Sequence, residues 1–179
     1  MLAVQKKWFQ IYTQPNCEKS LYQKLVQLGI EAFLPVRKVQ KQWSDRVKTI
    51  EEPAFKSYIF AKLFSEEMRM IEKLSEFGFF VSYGNNAKNS QRVSERLFPN
   101  ITDQHISTIA EVLAAFPEAE LQQKQFKKGE RIVLNNGNLK GYQGVIVESP
   151  KGKKVAVELI GLNQSLLMTI PQTMLQYAA

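Results

Sequence analysis

His105 and Cys17 are the sole histidine and the sole cysteine among 179 residues. A nucleophile–base pair of the Ser-His-Asp or Cys-His kind could therefore draw on one imidazole only. His105 lies in a stretch that reads as a helix, and no neighbour suggests a proton relay. A solvated or half-packed ring accounts for it, with partner contact as the other reading. Cys17 heads an apolar helical stripe and reads as core filling. A lone cysteine excludes an internal disulfide and a cysteine-based zinc site. Glu51–Glu52 and Glu66–Glu67 are neighbours in sequence, so strand or helix geometry turns the members of each pair apart; they read as solvated charges. No GxxxxGK[ST] and no GxGxxG occurs. We therefore expect no metal site, no cofactor and no enzyme. The residues that stand out are basic and aromatic.

The basic group is "VRKVQKQWSDRVK" at 36–48. Arg37, Lys38, Lys41, Arg46 and Lys48 stand there against Asp45, with Trp43 near the tip. One reading is a solvated strand pair with the indole packed on its stem. The other is a basic finger reaching nucleic-acid phosphates, the indole stacking on a base or on protein. The aromatic group is Trp8, Tyr12, Phe55, Tyr58, Phe60, Phe80 and Tyr83, drawn from three of four expected strands. Many of these rings must pack under helices. A four-stranded sheet with two helices on one face nevertheless leaves its other face open, and an aromatic open face suits a partner helix.

The elements that position these groups follow from periodicity. "KWFQIYT" (7–13) alternates as a strand does. Asn16 is an expected N-cap, with Glu18 in the first turn. Cys17, Leu21, Leu25 and Leu28 form one stripe, and Gly29 is placed to end the helix in the left-handed conformation. Residues 31–39 read as a second strand and 47–64 as a long third one. Tyr58 and Phe60 alternate there with Ile59, Ala61 and Leu63. A helix over 65–78 capped by Ser65 and a strand over 79–83 complete a β-α-β-β-α-β order, the split-βαβ arrangement. Residues 84–100 read as an irregular loop, and 102–116 as an amphipathic helix stopped by Pro117. About five short strands with glycine turns follow, the pattern of a small barrel.

Charge divides the chain the same way. Residues 1–99 carry 16 basic and 10 acidic side chains, 100–123 carry none and 4, and 124–179 carry 8 and 3. An acidic stretch thus separates two basic units. The formal net charge is +7, which favours a polyanionic or acidic partner. No signal peptide and no span near twenty apolar residues is seen, so a soluble, cytoplasmic monomer is expected.

"KWFQIYT…NCEKSLYQKL…GIEAFLPVRKVQKQWSDRVKTIEEPAFKSYIFAKL", followed by "LKGYQGVIVE", resembles the NusG family of transcription elongation factors. The "QWSDR…EEP.F..Y.F" run is similar to its specialised UpxY-like antiterminators. The resemblance implies an α+β chain: a ferredoxin-like NGN domain at 1–116 with an extra C-terminal helix, a linker at 117–125, and a small SH3-like KOW barrel at 126–179. It implies that the NGN sheet sits on the β′ clamp helices of bacterial RNA polymerase, reaches the β lobe and suppresses pausing or termination. The clamp-contacting positions map onto Tyr12, Phe55, Tyr58, Phe60, Phe80 and Tyr83. Basic residues would hold upstream or non-template DNA. In the KOW part, Gly141 and Gly144 would form a tight turn, and Lys140, Lys151, Lys153 and Lys154 would face nascent RNA, a ribosomal protein or Rho. An RNA- or ribosome-binding module that never touches polymerase is the alternative. Relatives carry Pro-Gly or a similar pair where this chain has Lys56-Ser57, which leaves the turn before Tyr58 open.

Overall fold

The computed structural model describes residues 5–82, 98–117, 119–122, 131–134, 143–149, 152–159, 164–168 and 175–177. The chain is a mixture of α and β elements in two compact units. One comprises Met1–Leu34 and Phe55–Asp103, the other Pro35–Ala54 and Gln104–Ala179.

The first unit is built on β1 (Lys7–Thr13), α1 (Glu18–Gln27), β2 (Glu31–Phe33), β5 (Tyr58–Leu63), α2 (Met68–Ile71) and β6 (Phe77–Phe80). Its sheet has the order β2-β5-β1-β6, antiparallel throughout. Taken without the hairpin inserted between β2 and β5, that is the expected split-βαβ order. Phe9 and Ile11 of β1 and Ile59, Ala61 and Leu63 of β5 share one face. Leu21 and Leu25 of α1 and Met68 and Ile71 of α2 join them in a core. Trp8, Gln10 and Tyr12 of β1 and Tyr58 and Phe60 of β5 alternate onto the opposite face.

Helix α1 ends as expected at Gly29, whose φ is +72°. The Ile30 amide donates to the Leu25 carbonyl at 2.9 Å and the Gly29 amide to the Val26 carbonyl at 3.0 Å, a Schellman closure. The start differs. Cys17 is the N-cap and makes no side-chain cap bond, while Asn16 takes φ +61° one residue earlier. Asparagine tolerates that conformation, which is why it fits the turn and not the cap.

Two expected strands are split. Residues 31–39 break at Leu34–Pro35, because proline donates no ladder bond, and β3 (Val36–Gln42) starts a separate sheet. Residues 47–64 break into β4 (Val47–Pro53) and β5 at the turn 54–57. Ser57 sits there at φ +61°, a conformation usually left to glycine. The Tyr58 amide donates to the Phe55 carbonyl at 3.3 Å, and Thr13 donates to the Ser57 carbonyl at 2.9 Å. The Ser57 amide itself donates to Glu18 Oε1 at 2.7 Å, a buried contact. Glu18 is thus a buried anchor as well as a first-turn acid.

The expected helix at 65–78 is shorter. A 3-10 turn at Ser65–Glu67 leads into α2, and the Phe64 amide donates to the Glu67 carboxylate at 2.7 Å. Strand β6 then begins at Phe77, two residues before the expected start. The register across β1 and β6 shifts between Tyr12 and Thr13, so β6 carries one extra residue there. Gly78 is that residue. A Cβ on it would stand 2.6 Å from the Tyr12 carbonyl oxygen, so only glycine fits.

The second unit holds α3 (Asp103–Ala115) beyond its first residue, the hairpin β3–β4 and a six-stranded sheet. That sheet comprises β7 (Glu120–Gln122), β8 (Arg131–Leu134), β9 (Gln143–Ser149), β10 (Gly152–Leu159), β11 (Gln164–Met168) and β12 (Leu175–Tyr177), in the order β12-β8-β9-β10-β11-β7. Strand β7 falls inside the expected linker and pairs with β11. Helix α3 matches the expected span, with Thr108, Ile109, Val112 and Leu113 buried.

Two stability tests follow. Glu18→Ala leaves the Ser57 amide without its acceptor and should lower the urea-unfolding free energy by about 1–3 kcal/mol. Ser57→Gly should raise it, by about 1 kcal/mol at most, since it relieves the left-handed strain while the added unfolded-state entropy offsets part of that gain. The second test concerns Glu76, which takes Lys24 at 2.7 Å and the Ser20 and Ser75 hydroxyls at 3.0 and 3.1 Å. The Lys24 ammonium above all holds its pKa down, from 4.5 to about 2. A depressed carboxylate pKa contributes stability that is complete above the unfolded value and is lost as pH falls through the folded one. Glu76→Gln should therefore flatten the loss of thermal stability between pH 4.5 and 2.

Candidate functional site

The face of the first sheet opposite the α1–α2 core carries a ladder of rings. Tyr58 meets Tyr12 edge-on with centroids 5.3 Å apart, and Tyr12 stacks on Phe79 at 4.9 Å and 16°. Phe79 stands directly across from Tyr12 in the β1–β6 register. Phe33 of β2 lies 6.2 Å from Phe60 on β5. Burial rises along the ladder. Phe79 is 49% exposed and Tyr12 half-buried, whereas Tyr58 is 8% and Phe60 0% exposed. Burial first, and the neighbouring Tyr12 second, pushes the Tyr58 hydroxyl pKa up.

The expectation of a bare aromatic face therefore needs correction. Trp8, Phe55, Tyr58 and Phe60 are buried. Strand alternation assigns a side chain to a face but does not say whether that face is covered. Trp8 has polar partners of its own: its indole Nε1 donates to Asp103 Oδ1 at 2.7 Å, and Lys62 Nζ donates to the same oxygen at 2.8 Å. Lys62 Nζ also lies 5.7 Å from the Trp8 ring centroid. The Lys62 ammonium, then the Trp8 indole, lowers the Asp103 pKa.

Phe80 belongs to the other face. It packs in the α1–α2 core with its ring 5.9 Å from Phe9 and 4.9 Å from Phe77. The early start of β6 and its bulge at Gly78 put Phe79, which the sequence reading passed over, beside Tyr12. An isolated glycine before two phenylalanines is the signal that could have pointed to it. Tyr83 lies outside the described residues.

The expected basic group does assemble as one hairpin. Strands β3 and β4 pair from Val36 opposite Pro53 to Gln42 opposite Val47, and the Trp43 amide donates to the Arg46 carbonyl at 2.8 Å. Arg37 stands opposite Glu52 and pairs with it at 3.1 Å, and Lys41 reaches the same carboxylate at 3.5 Å. The Arg37 guanidinium leads in lowering the Glu52 pKa. Glu52 is therefore no solvated charge, and it neutralises the stem of the hairpin. Lys38 is opposite Glu51, while Lys41 is opposite Lys48. Trp43 is 55% exposed, which removes the reading in which the indole packs on the stem.

In the second sheet, Gly144 is a buried strand residue between Ile132 of β8 and Val157 of β10, and not part of a turn. Lys153 and Lys154 lie in β10 opposite Glu148 and Val147. Lys140, Gly141 and Lys151 fall outside the described residues. His105 lies in the first half of α3, where burial lowers its pKa. Among the described residues no group of three His, Cys, Asp or Glu could hold a metal ion, and no helix is long and apolar enough to cross a membrane.

Comparison with known proteins adds three findings. No curated protein matches the chain. A solved structure titled "Crystal Structure of MjSpt4:Spt5 complex conformation B" aligns over 96% of this chain and 97% of its own at 12% identity, with a TM-score of 0.29, too low to carry an argument. A family model described as "NusG: Transcription termination factor nusG" matches residues 6–102, which is more than half of the chain and spans β1 through β6. The chain belongs to the NusG family.

Proposed function

We propose that this chain is a transcription elongation or antitermination factor that binds RNA polymerase through the ringed face of its first sheet. Family membership across residues 6–102 is the observation that carries this reading. The occupant we assign is the pair of β′ clamp helices, with the β lobe on the far side of the DNA cleft. Phe79 and Tyr12 are the contacting rings. Tyr58, Phe55 and Phe60 act from behind, because a buried ring holds its exposed neighbour at a fixed angle. This revises the expectation that all of them touch the partner. The outcome is suppressed pausing or termination, as in the specialised UpxY-like branch that the "QWSDR…EEP.F..Y.F" run resembles.

The hairpin β3–β4 is assigned to upstream or non-template DNA. The six-stranded sheet is assigned to an SH3-like KOW barrel that contacts nascent RNA, a ribosomal protein or Rho.

The test is a substitution at the exposed end of the ladder. Phe79→Ala should abolish co-purification with polymerase and restore pausing in a purified transcription assay. It should move the melting temperature little, because the ring is half in water. Phe60→Ala, by contrast, removes a fully buried ring and should cost about 3–5 kcal/mol of folding free energy. Undiminished polymerase binding by a folded Phe79→Ala protein would rule out the assigned face.

A further inference from the structure

We infer that the tip of the β3–β4 hairpin is a stacking site for an unpaired nucleic-acid strand, with Trp43 as the platform and Lys41, Arg46 and Lys48 as the phosphate contacts. The inference rests on reading the hairpin as a nucleic-acid-facing element and narrows the ligand to a single strand.

The register supplies the geometry. Lys41 is opposite Lys48, and Gln42 opposite Val47. The Trp43–Arg46 hydrogen bond extends the pairing by one step. Side chains alternate, so Trp43 and Arg46 return to the side that carries Lys41 and Lys48. Three cations and one indole thus share one side of the hairpin end. Neighbouring strands lie about 5 Å apart, and two residues along a strand span about 7 Å. The group is therefore small enough to serve one base and the phosphates beside it.

Charge separates the tip from the stem. Arg37 is neutralised by Glu52. At the tip, Lys41 faces Lys48; Lys41 also reaches Glu52 at 3.5 Å, but its side chain is about half exposed and water screens that pair, so a further anion between the two lysines is favourable. The acid nearest Arg46 is Asp45, at 3.9 Å, and both side chains are about two-thirds exposed. Water screens such a pair well.

The indole decides between one strand and two. It is 55% exposed at a turn, with cations on its own side. In a duplex each base face is covered by the next base pair. Trp43 could reach one only as a wedge, which costs a few kcal/mol of unstacking. An unpaired base offers its face at no such cost, and one ring–base stack is tolerant of sequence. An acidic protein segment would engage the lysines but would leave the ring without a matching flat surface.

Intrinsic fluorescence provides the test, because the two tryptophans differ so much. Trp8 is 5% exposed and bonded to Asp103, so a ligand-dependent change reports Trp43. The full chain would be titrated with short oligo-dU, oligo-U and a blunt duplex of equal length. Quenching by single strands, with duplex binding at least roughly ten-fold weaker, is expected. The better quencher of the two single strands identifies the sugar. Three phosphate contacts predict a log–log salt slope of about −2, and Lys48→Gln should reduce its magnitude by about 0.7. Followed by the anisotropy of a fluorophore-labelled strand, since these variants lack the reporting indole, Trp43→Ala should weaken binding by roughly ten-fold or more, while Trp43→Phe keeps most of it. Duplex binding as tight as single-strand binding, or strand binding unchanged in Trp43→Ala, overturns the inference. Polymerase co-purification of Trp43→Ala is a separate readout that belongs to the sheet face. Its retention beside lost strand binding supports the inference, and retained strand binding overturns it whatever polymerase does.

Discussion

One buried hydrogen bond sets the geometry on which the ringed face depends. The Ser57 amide donates to Glu18 Oε1 at 2.7 Å and so holds a non-glycine residue at φ +61°. That turn ends the hairpin's second strand and starts β5. It thereby fixes which of Tyr58, Ile59 and Phe60 points to which face. A chain with Pro-Gly at this place would reach the same turn by backbone preference alone. Here a carboxylate from the first turn of α1 does the work, which couples the helix to the sheet it covers. The opposite end of the same face is fixed by exclusion. Gly78 lies so close to the Tyr12 carbonyl that no side chain fits, and the resulting bulge brings Phe79 over Tyr12.

These two constraints give the first unit a graded aromatic face. The rings pass from fully buried Phe60 through Tyr58 and Tyr12 to half-exposed Phe79. A gradient of this kind has a physical use. Buried rings lose no further freedom when a partner arrives, so the exposed ring binds from a fixed position. The hairpin is organised differently. It presents cations around one exposed indole and keeps Glu51 and Glu52 at the stem, with Asp45 the acid at the tip, as suits a contact made mainly to charge.

Much of this was legible in the sequence. Alternation placed Tyr58 and Phe60 opposite Ile59, Ala61 and Leu63, the apolar stripe found the buried Leu21 and Leu25, and Gly29 closed α1 as a left-handed glycine should. The basic run at 36–48 did form one hairpin. The errors have common causes. The sequence shows periodicity but not coverage, so the rings of Trp8, Phe55, Tyr58 and Phe60 could be assigned a face and not an exposure. It shows Pro35 and Pro53 but not where the chain leaves one sheet for another, so two strands were joined that the turns separate. Phe80 was taken from the last strand without a register, and the pairing across β1 sets Phe79, not Phe80, opposite Tyr12. Glu18 was read through the helix dipole alone, because its partner Ser57 lies 39 positions away.

The central claim is that the exposed end of the ring ladder is where the partner lies. Site-specific photo-crosslinking tests it most directly. A photoreactive phenylalanine analogue placed at Phe79 should capture the largest polymerase subunit within its clamp helices. The same analogue at Val26, an exposed apolar position on α1, should not. Capture from Val26 and none from Phe79 would contradict the account.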